Sequence, residues 1–380
     1  MARIILGSTV VRYPVGGMQL WVLSWLLGFR RLGHEVFLVE KCGWADSCYD
    51  LQKRVMTSDC TYGVAVVDSL CQRFGLDRHW CFVDVKGRYH GLSRDSINAV
   101  FKSADLFVDL EGTEWLEEAS DVPLRVMIDA EPGWCQIKMA LASEAGRESS
   151  GHHHYYTIGR NIGTDQSSAP TGGKVWKHIF PPVLLDLAPY RPASLDAPFT
   201  TVMNWKSHKQ VEFNGVKYGQ KDAEFPRFID LPSRTPARMQ IAVSGSNVPR
   251  DDLRNHGWSV LNADDISNSL DSYIDYLFSS KGEFAVAKHV FVATNAGWIG
   301  HQQGYYMASG RPVVLDETGF SKHLPHGGGL FGVRNVDQAA HAIDEINGDF
   351  ERHSRAARTI ALEFFDSSRV LASFLSELGI

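Results

Sequence analysis

Short apolar runs alternate with helical stretches along the chain. Arg3–Gly7 is a β-branched run, as in a buried strand. A loop carrying Pro14, Gly16 and Gly17 follows. From there Met18, Trp21, Val22, Trp25, Leu26, Phe29 and Leu32 recur at steps of three and four residues, which predicts one face of a helix. Gly33 ends that helix as a C′ glycine does, and Val36–Val39 reads as the next buried strand. A strand, a glycine loop, a helix and a strand in this order predict parallel pairing through a crossover, hence an α/β fold.

The pattern continues with predicted strands at Trp80–Val85, Leu106–Leu110, Arg125–Ile128 and Tyr155–Ile158, and helices at Gly63–Phe74 and Trp134–Ala145. Ala188–Pro198, with Pro189, Pro192 and Pro198, predicts a linker. Beyond it, strands are expected at Phe199–Met203, Gln240–Val243, Val290–Ala293 and Val313–Leu315. Helices are expected at Ser269–Leu277, Gln302–Ser309, Val336–Ile346 and Arg355–Phe364. The expected architecture is two Rossmann-like, doubly wound domains facing a central cleft. Residues 1–187 form the first and 199–365 the second, and 366–380 form a C-terminal helix that packs back on the first. Ligands of such sheets bind beyond the carboxyl ends of the strands, so the cleft is the expected site.

Composition narrows the field. The 380 residues suit two domains, with 44% apolar and 22% charged residues. Subtracting 44 acidic from 38 basic residues leaves −6, which disfavours a non-specific polyanion binder. The most apolar early stretch, Trp21–Phe29, is far shorter than the ~20 residues a bilayer crossing needs. Met-Ala-Arg leads straight into Ile4, so no signal peptide is expected. The six cysteines, at 42, 48, 60, 71, 81 and 135, form no Cys-x-x-Cys pair. Free thiols in a reducing cytoplasm, and no metal site, are the expectation.

The segment Phe291–Phe320 contains Gly297-Trp298, a helix around Gln302–Ser309 and Gly310-Arg311-Pro312-Val313-Val314. It resembles the nucleotide-sugar segment of GT-B glycosyltransferases. Tyr13-Pro14-Val15-Gly16-Gly17 and Gly33-His34-Glu35-Val36 resemble the first half of that family. Asp129–Gly133, Gly159–Gly163, Lys281–Lys288 and the tail from Phe364 to Leu371 resemble a narrower bacterial group of GT-B-like glycosyltransferases. The resemblance implies transfer of a sugar from a nucleoside-diphosphate donor, a UDP-sugar first, to a hydroxyl or amine of an acceptor. It implies a donor-binding second half, an acceptor-binding first half, no metal and no permanently bound cofactor. One departure stands out. The family usually has a Glu in the helix after the glycine turn to hold the ribose hydroxyls, and His301, Gln302, Gln303 and Tyr305 supply no acid here.

Candidate residues follow. Gly16 and Gly17 precede a helix whose N–H groups suit a phosphate or carboxylate; a tight turn is the plain alternative. Asn295, at an expected strand end, is followed by Gly297, which permits close backbone approach. Trp298, His301, Gln302 and Gln303 then open a helix that can converge on a diphosphate, although a capped helix with a packed tryptophan fits too. Asp316, Thr318 and Gly319 suit sugar or phosphate contacts, or a simple Asx turn. Asn204 and Lys206, or Arg160 and Asn161, can meet the charge of the leaving diphosphate or contact the acceptor. Asp129 and Glu131 are acid–base candidates at a strand end, where an N-cap role is equally natural. In His152-His153-His154 adjacent side chains point to opposite faces, so only two could share a metal, and no carboxylate or cysteine spacing supports one; partly exposed histidines before a strand are the plain reading, and His154 is kept as a candidate base.

Two other functions share the fold. The absent ribose acid leaves room for a sugar-nucleotide epimerase. A glycosyltransferase acting on a nucleic-acid base would need a basic groove, hinted at only by Arg30-Arg31 and the four lysines of 206–221.

Overall fold

The computed structural model describes residues 1–110, 117–147, 151–191 and 193–380; Pro192 of the expected linker lies outside them. Two large sheets organise the chain. The first has eight strands in the order Trp176–His178, His154–Thr157, Leu124–Asp129, Leu106–Leu110, Arg3–Gly7, Glu35–Lys41, Trp80–Val83 and Tyr89–Gly91. Only Tyr89–Gly91 runs antiparallel to its neighbour. The second has six parallel strands in the order Ser259–Asn262, Met239–Ser244, Phe199–Asn204, Gly282–Ala285, Val313–Asp316 and Leu330–Val333.

Both sheets reverse their winding beside the first strand of their half. In the first, the chain moves outward from Arg3–Gly7 to Trp80–Val83, then returns to pair Leu106–Leu110 on the other side. In the second, it moves from Phe199–Asn204 to Ser259–Asn262, then returns to Gly282–Ala285. Such a reversal opens a crevice beyond the carboxyl ends of the strands it separates.

Helix Gly16–Arg31 is buried on more than the one face its periodicity marks; Leu20, Leu23, Trp25 and Phe29 are all fully enclosed. A helix apolar all round is covered all round, and helices Leu270–Ser279 and Ser367–Glu377 supply the cover. Gly28 makes this possible: a Cβ there would stand 2.4 Å from Leu371 Cδ1. The ring of Phe374 packs 6.1 Å from Trp25 and 6.2 Å from Phe29, so the final helix lies on the first half.

The structure corrects one strand. Val290–Ala293 lies in a short helix, His289–Ala293, and the strand is Gly282–Ala285. A four-residue apolar run fits either element, whereas Glu283 interrupts the true strand and disguises it. Strands Trp176–His178, Ser259–Asn262 and Leu330–Val333 were likewise not expected. All six cysteines are unpaired. Among the described residues no helix is long and apolar enough to cross a membrane.

Candidate active site

Loops from both halves enclose a shared space. It is a cavity of about 480 Å³, lined from the first half by Tyr13, Gly17 and Tyr49, and from the second by Asn204, Gly245 and Gln302, among others. Of the residues singled out in the sequence, the cavity gathers Gly17, Asn204 and Gln302. Gly16 is packed instead: its N–H donates to Ser267 O at 2.8 Å, and a Cβ would stand 2.5 Å from that of Tyr273. His301 is also withdrawn from the cavity. Its Nε2 lies 3.1 Å from Gly17 O and its ring packs on Trp21. Burial lowers its pKa to about 4, so the imidazole is neutral and positions the Gly17 turn.

An unforeseen carboxylate lies beneath Gln302. Glu283 Oε1 accepts from Gln302 Nε2 at 2.7 Å and Gln303 Nε2 at 2.8 Å, and Tyr273 OH donates to Gln302 Oε1 at 2.9 Å. Glu283 thus sets a buried carboxylate on the neighbouring strand, with Gln302 between it and the cavity. Burial raises Glu283 to about 7 against the pull of Gln302 and nearby Lys221. Its Oε2 and the whole side-chain amide of Gln220 are buried with no hydrogen-bond partner among the described residues. Buried groups left in this way ask for an explanation, and a bound molecule is one.

A cross-cleft ion pair was also missed. Lys288 Nζ, just beyond strand Gly282–Ala285, donates to both oxygens of Glu131 at 2.5 Å. Beneath Glu131, buried Asp129 accepts from Gln136 Nε2, Thr157 Oγ1 and Glu131 N, each at 2.8 Å. Burial raises Asp129 to about 6. Burial, then the Lys288 charge, lower Lys221 to about 8, while Glu283, Glu131 and Asp316 oppose the shift. The Lys281–Lys288 segment carried the usable signal for both Glu283 and Lys288, since it matched the family as a block.

Several other candidates form a seam that joins the halves. Arg160 N donates to Gly297 O and Asn161 N to Ala296 O, at 3.2 and 3.0 Å. Asn161 Nδ2 donates to Asn295 O at 2.9 Å, and Asn295 adopts left-handed φ of 48° after a helix rather than a strand. Gly297, at φ 73°, would put a Cβ 2.8 Å from Asn161 N. Trp298 O accepts from Thr318 Oγ1 at 2.7 Å, and a Cβ on Gly319 would stand 2.4 Å from Asn161 Nδ2. These residues meet protein partners and not the cavity.

The remaining candidates lie apart. Asp316 takes two bonds of 2.9 Å from Arg227 Nη2. Lys206 Nζ pairs with Asp222 at 3.2 Å on the surface. His154 opens its strand opposite Val126, three residues before Asp129, so it sits at the far end of the sheet from the cleft. That removes it as a base. His152 is buried against Asp109 at 2.9 Å, and His153 bonds Arg125.

No protein-family model matches the chain, and no curated protein sequence matches it. Solved structures do. An alpha-glucosyltransferase (AGT) in complex with UDP superposes with a TM-score of 0.60 and 11% identity over 100% of both chains. An alpha-glucosyltransferase with UDP and a 13-mer DNA containing an HMU base gives 0.58 and 10% identity over 99% of this chain and 98% of that one. Anabaena Alr3699/HepE in complex with UDP and glucose gives 0.57 and 12% identity over 99% and 100%. Full-length agreement across two facing α/β sheets means that this chain has the GT-B fold.

Proposed function

We propose that this protein is a glycosyltransferase that moves a sugar from a nucleoside-diphosphate sugar, a UDP-sugar first, to a hydroxyl or amine of an acceptor. The cavity between the two halves, lined by Gly17 and Gln302, carries this reading. The nucleoside occupies that cavity, and the diphosphate lies toward Gly17 in the first turn of helix Gly16–Arg31. Gln302, held from below by Glu283, offers its amide to the ribose in place of the family's glutamate. Lys288 and Lys221 supply the positive charge that a departing diphosphate needs, without a metal. Glu131 is the proposed base for the acceptor hydroxyl, with Asp129 fixing its backbone from below. The first half holds the acceptor.

A thermal-shift panel of UDP-, GDP-, TDP- and ADP-sugars tests this. A rise in melting temperature with one nucleotide class, followed by transfer assayed with and without added magnesium, is the expected result. A folded protein that no member stabilises overturns it. Incubating UDP-N-acetylglucosamine without acceptor separates transfer from epimerisation, because release of UDP with an altered sugar marks an epimerase.

The alpha-glucosyltransferase structures with DNA motivate a nucleic-acid acceptor as second reading. The lysine run offers it little, since Lys206 is paired and Lys221 is drawn into the charged cluster. Salt-sensitive shifting of duplex DNA on a gel would revive it.

A further inference from the structure

Three side chains from separate stretches of the first half converge at the edge of its sheet. Cys60 is the residue before helix Thr61–Arg73, Asp84 follows strand Trp80–Val83, and His90 lies in the antiparallel edge strand Tyr89–Gly91. His90 Nε2 is 3.8 Å from Cys60 Sγ and 3.3 Å from Asp84 Oδ2, and the three atoms all lie within 4.8 Å of one another. Cys60 and Asp84 are buried and His90 is half-buried. We propose that Cys60, Asp84 and His90 form a zinc site, separate from the proposed sugar-transfer site, with its fourth position open to water.

The spacing supports this. Zinc bonds of about 2.3 Å to sulfur and about 2.0–2.1 Å to nitrogen or oxygen, set tetrahedrally, put sulfur and nitrogen about 3.6 Å apart and nitrogen and oxygen about 3.3 Å apart. The observed separations approach both. The Asp84 carboxylate is also held in a fixed orientation, because its Oδ1 accepts from the backbone N–H groups of Lys86 and Arg88 at 2.8 and 3.0 Å. Oδ2 also accepts from Arg88 Nε at 2.7 Å, but the Arg88 side chain is mostly exposed and can turn to solvent. A thiolate, an imidazole and a carboxylate suit zinc better than magnesium or calcium, which prefer oxygen alone. Binding releases the Cys60 thiol proton as the Zn–S bond forms. The sequence hid the group because its members stand 24 and 6 residues apart, with no close ligand pair.

The site also has a structural consequence. Cys60 follows the hairpin Cys48–Asp50/Val55–Thr57, whose Tyr49 and Met56 line the cleft cavity. A cation here braces that wall without touching a reacting atom.

The full-length protein, stripped with a chelator and dialysed, is titrated with cobalt(II) and then zinc(II). One equivalent of cobalt with a sulfur-to-metal charge-transfer band, displaced by zinc, is expected, together with a higher melting temperature. Cys60→Ser and His90→Gln should each weaken binding at least 100-fold, with Cys135→Ser unchanged. Circular dichroism confirms that each variant is folded. The proposal is overturned if folded wild type takes up no metal, or if the band persists in both Cys60→Ser and His90→Gln.

Discussion

Nε2 of His301, in the second half, lies 3.1 Å from the carbonyl oxygen of Gly17, in the first. The bond ties the glycine turn to the helix that carries Gln302. His301→Ala should lower stability by about 2–4 kcal/mol, through the lost bond and the void beside Trp21. It should also weaken nucleotide binding, readable by calorimetry. The sign with pH follows from its depressed pKa. An unfolded imidazole takes up its proton near 6.5 and the folded one only near 4. Between these values the unfolded state binds more protons, so this group's contribution is lost as pH falls from about 6.5 to about 4. Denaturant curves should show that loss in wild type and not in His301→Gln.

Glu283 titrates in the opposite sense. Its carboxyl is near 7 when folded and near 4.5 when free. The folded state therefore binds more protons between these values, and stability is lost as pH rises through them, by roughly 3 kcal/mol at most. Glu283→Gln should flatten this part of the profile and gain on wild type above pH 7. Because Gln302 loses a charged partner, affinity for the donor nucleotide should fall.

Gly16 and Gly17 are adjacent but should fail differently. A methyl at Gly16 would be driven against Tyr273 Cβ and Ser269 O, at 2.5 and 2.6 Å, whereas one at Gly17 meets Tyr273 only at 3.4 Å. Gly16→Ala is expected to cost about 1–3 kcal/mol of stability. Gly17→Ala should melt near the wild-type temperature and bind UDP more weakly, since Gly17 lines the cavity. Paired thermal-shift and binding curves check both.

The Glu131–Lys288 pair gives a kinetic test. If Glu131 takes the acceptor proton, Glu131→Gln should cut kcat by about 10²–10⁴ with little change in donor KM. Lys288→Met should cut it by about 10²–10³ if the cation meets charge on the departing diphosphate. A double variant whose loss matches either single would show that the two act as one unit.

The architecture was legible because parallel strands with helical crossovers write a period change into the chain, and Arg3–Gly7 with its following helix did so plainly. Strand Gly282–Ala285 was not, because a buried glutamate broke its apolar run. In the cavity, Gly17, Asn204 and Gln302 were within reach of sequence reasoning, since loops at strand ends carry binding groups. The seam residues looked the same on paper. A glycine at positive φ serves equally to admit a ligand or another backbone, and at Gly297 the neighbour is Asn161. Glu283 and Lys288 escaped because their partners, Gln302 and Glu131, are distant in sequence.

The return of helix Ser367–Glu377 to the first half means that the polypeptide crosses the divide twice. It goes out before Phe199 and comes back at Ala361–Phe365, where Val183 N and Phe365 O lie 2.7 Å apart. The halves are therefore joined by main chain at two neighbouring points along one edge, in addition to the hydrogen-bonded seam.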